Sequence, residues 1–560
     1  MSVYQPANPL IVQGDHTALL EVDNPRYAEC RDALARFAEL VKSPEHIHTY
    51  RVTPLSIWNA CAAGVLTEEI VETLVRYSKY DVPEHVAVEI RDFASRYGRL
   101  RLRRQGAQLV LASDDVALAR EIAANRHAAP FLAEPLGATE FLVRPGDRGR
   151  LKQALVKIGF PAEDLAGYAA GETLDIALRP AARSGAAFAL RPYQREAADL
   201  FHAAGSERGG SGVIVLPCGA GKTIVGMACM AALRSSTLIL ATNVTAVRQW
   251  MAELLDKTTL REDQISEYTG AAKDIRPVTV STYQIMTYRP SREGEFPHLG
   301  LFDQRNWGLI IYDEVHLLPA PVFQVTAGLQ ARRRLGLTAT LVREDGREDD
   351  VFALIGPKKA DVPWKALEHQ GWIAKATCTE IRVPLPRDTR MHYAVAEPRD
   401  KFRIASENPN KAALVRALVE RYAGERILII GMYVDQVNAI AKELGVPALT
   451  GSTAQAKRDA LFEAFRSGSV RVLAVSKVAN FSVDLPDASV AIQISGTFGS
   501  RQEEAQRLGR ILRPKLGANQ AHFFTLVSHD TTEQEFALKR QLFLCEQGYE
   551  YRIEFADETV

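Results

Sequence analysis

The segment from Val213 to Thr223, VIVLPCGAGKT, followed by IVGMACMAAL, constrains this chain more than any other. It reads as an apolar strand, a turn containing Gly219 and Gly221, and a helix that opens on Lys222 and Thr223. A strand that feeds a helix in this way belongs to a parallel sheet, whose strands must be covered on both faces. The covering elements are visible downstream. GVIVL, STLILAT, PVTVST, GLIIY and RLGLT, then RILIIG, VRVLAVS and VAIQIS, are short apolar runs separated by helical stretches. They predict the buried strands of two successive α/β domains beyond a boundary near Ser184. No internal repeat is apparent at a period of about 20 to 50 residues.

The 560 residues suggest three to four folded units at roughly 150 residues each. From Asn8 to about Pro130, the runs PLIVQ and TALLEV mix with helical stretches from Pro25 to Val41 and from Thr67 to Lys79, which predicts an accessory α+β domain over 1–130. Within it RYGRLRLRR alternates arginine with leucine, placing Arg99, Arg101 and Arg103 on one strand face. A solvated face is favoured there over a phosphate-tracking edge, because no aromatic platform accompanies it. Residues 131–183 carry the strand EFLVR, the helix RGRLKQALVKIG and the linker-like RPAARSGAAFA.

Sixty-eight basic residues cancel sixty-eight acidic ones, so a polyanion partner must be held by local patches. Six scattered cysteines without a CxxC pair fit neither a zinc module nor a disulfide framework, and predict a reducing cytoplasm. No secretory leader is recognisable, and no run approaches the ~20 apolar residues of a membrane span.

The glycine turn predicts a phosphate site. Gly219 and Gly221 let backbone N–H groups curl around an anion, Lys222 reaches the outer phosphates, and Thr223 offers a hydroxyl to Mg²⁺. Leu216 stands where the strict pattern has its first glycine, so this is the looser GxGKT form of helicase-type motors. Downstream, GLIIY runs into Asp313, Glu314, Val315 and His316, an acidic pair at the carboxyl tip of a buried strand. Asp313 is the candidate Mg²⁺ carboxylate, together with Thr223, and Glu314 the residue that orients an attacking water. QRLGRILR spaces Arg507, Arg510 and Arg513 at i, i+3 and i+6. They are either an exposed basic helix or, for Arg510 and Arg513, the positive charge that meets a γ-phosphate across a cleft between the two α/β domains.

LRPYQ (190–194), VIVLPCGAGKT, QW (249–250), VSTYQ (280–284), YDEVH, LGLTATLVRED (335–345), LIGPK (354–358), SKVANFSVDLPD (476–487), QEEAQRLGRILR (502–513) and KRQLFLCEQGY (539–549) together resemble superfamily 2 helicases. The finer wording is similar to the xeroderma pigmentosum group B (XPB) DNA repair helicases. That resemblance implies two tandem recA-like domains, 184–365 and 366–560, with an abbreviated thumb-like insertion near 387–412 and a damage-sensing segment within 131–183. It implies ATP and Mg²⁺ as cofactors. Arg191, Gln194, Gly219, Gly221, Lys222 and Thr223 would then bind ATP; otherwise Gln194 merely begins a helix after Pro192. Lys222, Asp313, Glu314, His316, Gln506, Arg510 and Arg513 would act in hydrolysis.

The same resemblance places Gln249, Trp250, Ser281 and Thr282 along a DNA track, although Trp250 reads equally well as core. Thr338 and Thr340 would couple hydrolysis to movement, and Arg343, Glu344 and Asp345 would serve unwinding. It further implies 3′→5′ polarity, a role in excision repair, pairing with a structure-specific nuclease, and a cytoplasmic, nucleoid-associated location. Motif V departs from the family's usual Gly-Asp at Ala479 and Asn480. That departure keeps open a nucleotide-switched DNA scaffold, or a duplex translocase that separates no strands.

Overall fold

The computed structural model describes residues 4–42, 46–144, 146–185, 187–217, 219–291, 296–330, 332–339, 348–362, 364–476, 488–496, 519–546, 549 and 551–556. They form two compact units, Met1–Leu216 with Gly221–Val362, and Pro217–Ala220 with Pro363–Val560. Among the described residues, no helix is long and apolar enough to cross a membrane.

The first unit opens with an antiparallel sheet, in spatial order Leu10–Val12, Thr17–Glu21, Ile47–Arg51 and Glu39–Lys42. The last strand corrects the helix expected over Pro25–Val41, which spans only Tyr27–Leu34. Residues 35–38 close off the helix end, and from Glu39 the backbone gains its partners from a ladder with Thr49–Arg51, where Leu40 becomes a buried strand residue. Ala38, Glu39 and Leu40 are good helix formers, so here pairing with a distant strand overrides local propensity.

A second antiparallel-rich sheet orders Leu132–Pro135, Glu140–Val143, Gln108–Ser113, Leu100–Gln105 and Ala162–Leu165. A cut at residue 130 would pass through it, since Val110–Ala112 pair with Glu140–Leu142. Leu100 and Leu102 point into its core, while Arg101 is paired with Asp114 at 2.9 Å and Arg99 with Asp115. Two of the three arginines on that face are thus met by neighbouring acids, and Arg103 is exposed.

Helix Arg148–Lys157 fastens this sheet to the parallel sheet that follows. Gly149 lies so close to the Ala327 backbone that a Cβ would sit 2.4 Å from its carbonyl oxygen. Asp164 accepts from Arg148 Nη2 at 2.6 Å and from Lys152 Nζ at 3.1 Å, and Lys152 also donates to Gln330 Oε1 at 2.9 Å.

The parallel sheet of the first unit contains β1 (Ser211–Val215), β2 (Thr237–Ala241), β3 (Ile265–Tyr268), β4 (Val278–Thr282), β5 (Leu309–Asp313), β6 (Arg333–Thr338) and β7 (Lys358–Asp361), in the order β3-β4-β2-β5-β6-β1-β7. β1, β2 and β4 are buried along their whole length, as apolar strands covered on both faces must be. The second unit contains β8 (Lys375–Val383), β9 (Ile427–Gly431), β10 (Ala448–Leu449), β11 (Val472–Ser476), β12 (Val490–Gln493), β13 (Gln520–Ser528) and β14 (Tyr551–Phe555), in the order β10-β11-β9-β12-β13-β8-β14. Counted within each sheet, both orders are 3-4-2-5-6-1-7. The two parallel sheets are duplicates in topology without an evident sequence repeat. Residues 387–412 form helices Arg387–Val395 and Pro398–Ser406 and the start of Asn410–Arg421.

Candidate active site

β1, β6 and β5 are neighbours, so the chain leaves three adjacent strands at one carboxyl edge. Leu216 N–H donates to the Thr338 carbonyl at 2.9 Å, tying the exit of β1 to that of β6. The following turn has Gly219 at φ +80° and Gly221 at φ +82°, left-handed values that cost glycine least. Gly221 is required twice over, because a Cβ there would lie 2.6 Å from Gln194 Nε2. Gln194 is buried in the first turn of helix Pro192–His202, where its Oε1 accepts from Arg191 N–H at 3.0 Å. Arg191 Nη1 donates to the Tyr193 hydroxyl at 3.1 Å. Helix Lys222–Leu233 follows Gly221 as its N-cap, and the positive end of the helix dipole at this turn suits an anion.

Opposite this helix end stands the acidic pair. Asp313 is the last residue of β5, and Glu314 follows at φ +51°, a left-handed conformation that costs a residue with a Cβ roughly 1–2 kcal/mol. The strain is held by contacts: Lys222 pairs with the Glu314 carboxylate, which also accepts from the Ala339 backbone. Asp313 is gripped from two directions. Trp250 Nε1 donates to its Oδ2 at 2.9 Å, and the Tyr283 hydroxyl donates to its main-chain carbonyl at 2.9 Å.

Burial, and then the adjoining Glu314 charge, push the Asp313 carboxyl up to about 6, against the pull of Lys222 and the Trp250 hydrogen bond. Burial also acts to raise Glu314, but Lys222 and His316 outweigh it and the net direction is down. His316 is buried, with Nδ1 2.6 Å from Thr338 Oγ1 and 3.5 Å from Glu314 Oε2. A polar chain therefore runs from Lys222 through Glu314 and His316 to Thr338.

The structure thus gathers Gln194, Gly221, Lys222, Asp313, Glu314, His316 and Thr338, with Arg191 beside Gln194 and Thr223 in the first turn after Lys222. Three residues expected along a DNA track face inward instead. Trp250 is 2% exposed and bonded to Asp313. Ser281 donates to the Tyr268 carbonyl at 2.7 Å, and Thr282 accepts from Ile285 N–H at 3.2 Å, capping the short helix Tyr283–Met286. With β4 buried on both faces, the partners of these hydroxyls among the described residues are backbone groups. Gln249, next to Trp250, is exposed. Thr340, Arg343, Glu344, Asp345, Ala479, Asn480, Gln506, Arg507, Arg510 and Arg513 lie outside the described residues.

Sequence reasoning missed Tyr283 and Gly226. Tyr283 gave no signal beyond its place in VSTYQ. Gly226 did, because a glycine inside a helix costs about 1 kcal/mol and calls for a packing reason. That reason is Trp250, whose Cη2 would lie 2.6 Å from a Cβ at Gly226.

Three family models match segments of the chain. They are described as ERCC3/RAD25/XPB C-terminal helicase over residues 367–559, Type III restriction enzyme, res subunit, over 187–343, and Helicase conserved C-terminal domain over 10–136. The DNA 3′-5′ helicase XPB of Kineococcus radiotolerans is 56% identical over 551 residues, 98% of this chain and 97% of that protein. The chain belongs to the XPB helicase family. The DNA 3′-5′ helicase XPB of Mycobacterium tuberculosis is 55% identical over 99% of this chain and 98% of its own. A eukaryotic member, the general transcription and DNA repair factor IIH helicase/translocase subunit XPB of Antonospora locustae, is 34% identical over 97% of this chain and 81% of its own. In this XPB-family chain the segment matched over 10–136 is built on antiparallel strand pairs, unlike the two parallel sheets.

Proposed function

We propose that this chain is an ATP-driven DNA helicase of 3′→5′ polarity acting in DNA repair, most directly nucleotide excision repair. The observation that carries the reading is the polar chain from Lys222 through Glu314 and His316 to Thr338, at the carboxyl edge of β1, β5 and β6 in an XPB-family protein. The motor halves would span 184–365 and 366–560, after an N-terminal region over 1–183 in which one sheet runs across residue 130.

The site fits a magnesium nucleotide. The left-handed glycines and the helix end suit phosphates, and the Thr223 hydroxyl with the Asp313 carboxylate offers the hard oxygen donors that Mg²⁺ prefers. When bound, the ion neutralises phosphate charge and polarises the terminal phosphoryl group. Gln194 and Arg191 hold the adenine end. Lys222 exchanges its Glu314 partner for the outer phosphates, and the released carboxylate orients the attacking water. His316 and Thr338 transmit that exchange toward Thr340. Gln506, Arg510 and Arg513 act on the departing phosphoryl group, and Arg343, Glu344 and Asp345 on strand separation. DNA is gripped through its backbone, with Gln249 a contact and Ser281, Thr282 and Trp250 supporting from beneath. A structure-specific nuclease is the expected protein partner, and the bacterial cytoplasm and nucleoid the expected location.

ATP turnover measured without DNA and with single-stranded, duplex and forked DNA tests the reading, together with displacement of a labelled strand from the fork. DNA-stimulated turnover with 3′→5′ displacement is expected; turnover indifferent to DNA would overturn it. Ala479 and Asn480 favour one second reading, a duplex translocase, for which turnover is stimulated and no strand is released.

A further inference from the structure

Trp250 lies in helix Val244–Lys257, 63 residues before the acidic pair in sequence, yet it is 2% exposed and its indole N–H reaches Asp313 Oδ2 at 2.9 Å. The ring is fitted into place from a further side. A Cβ at Gly226 would lie 2.6 Å from Trp250 Cη2 and 3.3 Å from its Cζ3, so the phosphate-loop helix leaves room for the indole only because this residue is glycine. A free carboxylate turns about χ2 in a broad, roughly two-fold well. One fixed donor on Oδ2 removes that freedom. Indole is also a neutral, donor-only group, so it orients the carboxylate without cancelling the charge and without competing as a ligand. A lysine or arginine in its place would orient the group but repel a cation. The Tyr283 hydroxyl anchors the same residue through its main-chain carbonyl at 2.9 Å, leaving the side-chain plane to the indole.

We propose that Trp250 is a positioning residue for the metal-binding carboxylate: its N–H, packed into the gap left by Gly226, turns Asp313 so that its remaining oxygen meets the divalent cation of the bound nucleotide. This rests on the reading of Asp313 as the cation's carboxylate. It also assigns the tryptophan of the QW pair a role other than DNA contact.

The test uses the full-length chain and mant-ADP titrations followed by fluorescence, once with Mn²⁺ and once in EDTA, with the bound Mn²⁺ counted by EPR. Trp250→Phe keeps the ring and removes the donor. Donors that hold a metal ligand in place are worth about 10- to 100-fold in metal affinity, so Trp250→Phe is expected to weaken Mn²⁺-dependent binding by that factor. Binding in EDTA should be unchanged. Gly226→Ala, which displaces the ring without deleting it, should do the same, and decides the matter alone if the phenylalanine variant fails to fold. Equal losses with and without Mn²⁺, or no loss in either, would overturn the role of Trp250. Wild-type binding that is indifferent to Mn²⁺ would instead overturn the reading of Asp313.

Discussion

Glu314 sits in a left-handed conformation with its carboxylate against the Lys222 ammonium, so each group is held ready by the other. Both side chains are mostly enclosed, at 13% and 15% exposure, which gives the pair more weight than a surface ion pair. Lys222→Ala is expected to cut ATP turnover by about 10²–10³-fold, the usual cost of losing one donor to developing charge, and to weaken nucleotide binding in the same titration. Glu314→Gln should behave differently. It keeps the shape and a hydrogen-bond acceptor for Lys222 but is a poor base for water, so turnover should fall while ATP binding persists. A Glu314→Gln variant that still hydrolyses ATP at the wild-type rate would remove Glu314 from the reaction.

Helix Arg148–Lys157 brings its cations to a single acid, Asp164, at the junction with the parallel sheet. Burial pushes the Lys152 ammonium down to about 8, with Asp164 opposing that shift. Burial likewise acts to raise Asp164, but Lys152, Arg148 and Arg334 outweigh it and hold the carboxyl well below its usual range. A depressed carboxyl stabilises the fold fully above the unfolded value of about 3.9, and the contribution is lost as pH falls through and below it. Asp164→Asn should therefore destabilise by roughly 3–5 kcal/mol at neutral pH, because two buried cations lose their counter-charge. Urea unfolding at pH 7 and near pH 3 checks this, and the gap between wild type and variant should narrow at the lower pH. A gap that stays constant would place the stabilisation in packing.

The repeated 3-4-2-5-6-1-7 order means that one folding plan was used twice, with the phosphate loop kept only after β1. Arg510 and Arg513 belong to the C-terminal half of the chain, and replacing either by alanine is expected to lower turnover by about 10³-fold or more while mant-ADP binding survives. With zero net charge overall, DNA affinity must come from local cations meeting phosphates. Some six to ten such contacts would lose roughly 10³–10⁵ in affinity between 50 and 200 mM salt, whatever the base sequence. Fluorescence anisotropy with two unrelated oligonucleotides measures it, and salt-independent, sequence-selective binding would contradict a backbone-tracking motor.

Much of this protein was readable locally. Buried apolar runs marked β1, β2, β4, β5, β6, β9, β11 and β12, because a parallel strand covered on both faces has few polar positions to disguise it. Lys222, Asp313 and Glu314 stood out because GKT and an acidic pair at strand ends have little packing justification. β3, β7 and the Glu39–Lys42 strand did not, since short mixed segments become strands only when a distant partner completes the ladder. Nor could local pattern tell which way Trp250, Ser281 and Thr282 face, or that Leu132–Leu165 completes a sheet begun at Leu100. Chemistry follows from residue types at close spacing, which the sequence carries by itself. Facing, pairing and the reach of an indole to a carboxylate 63 residues away are decided only when the chain packs, because they depend on contacts between segments with no local relation.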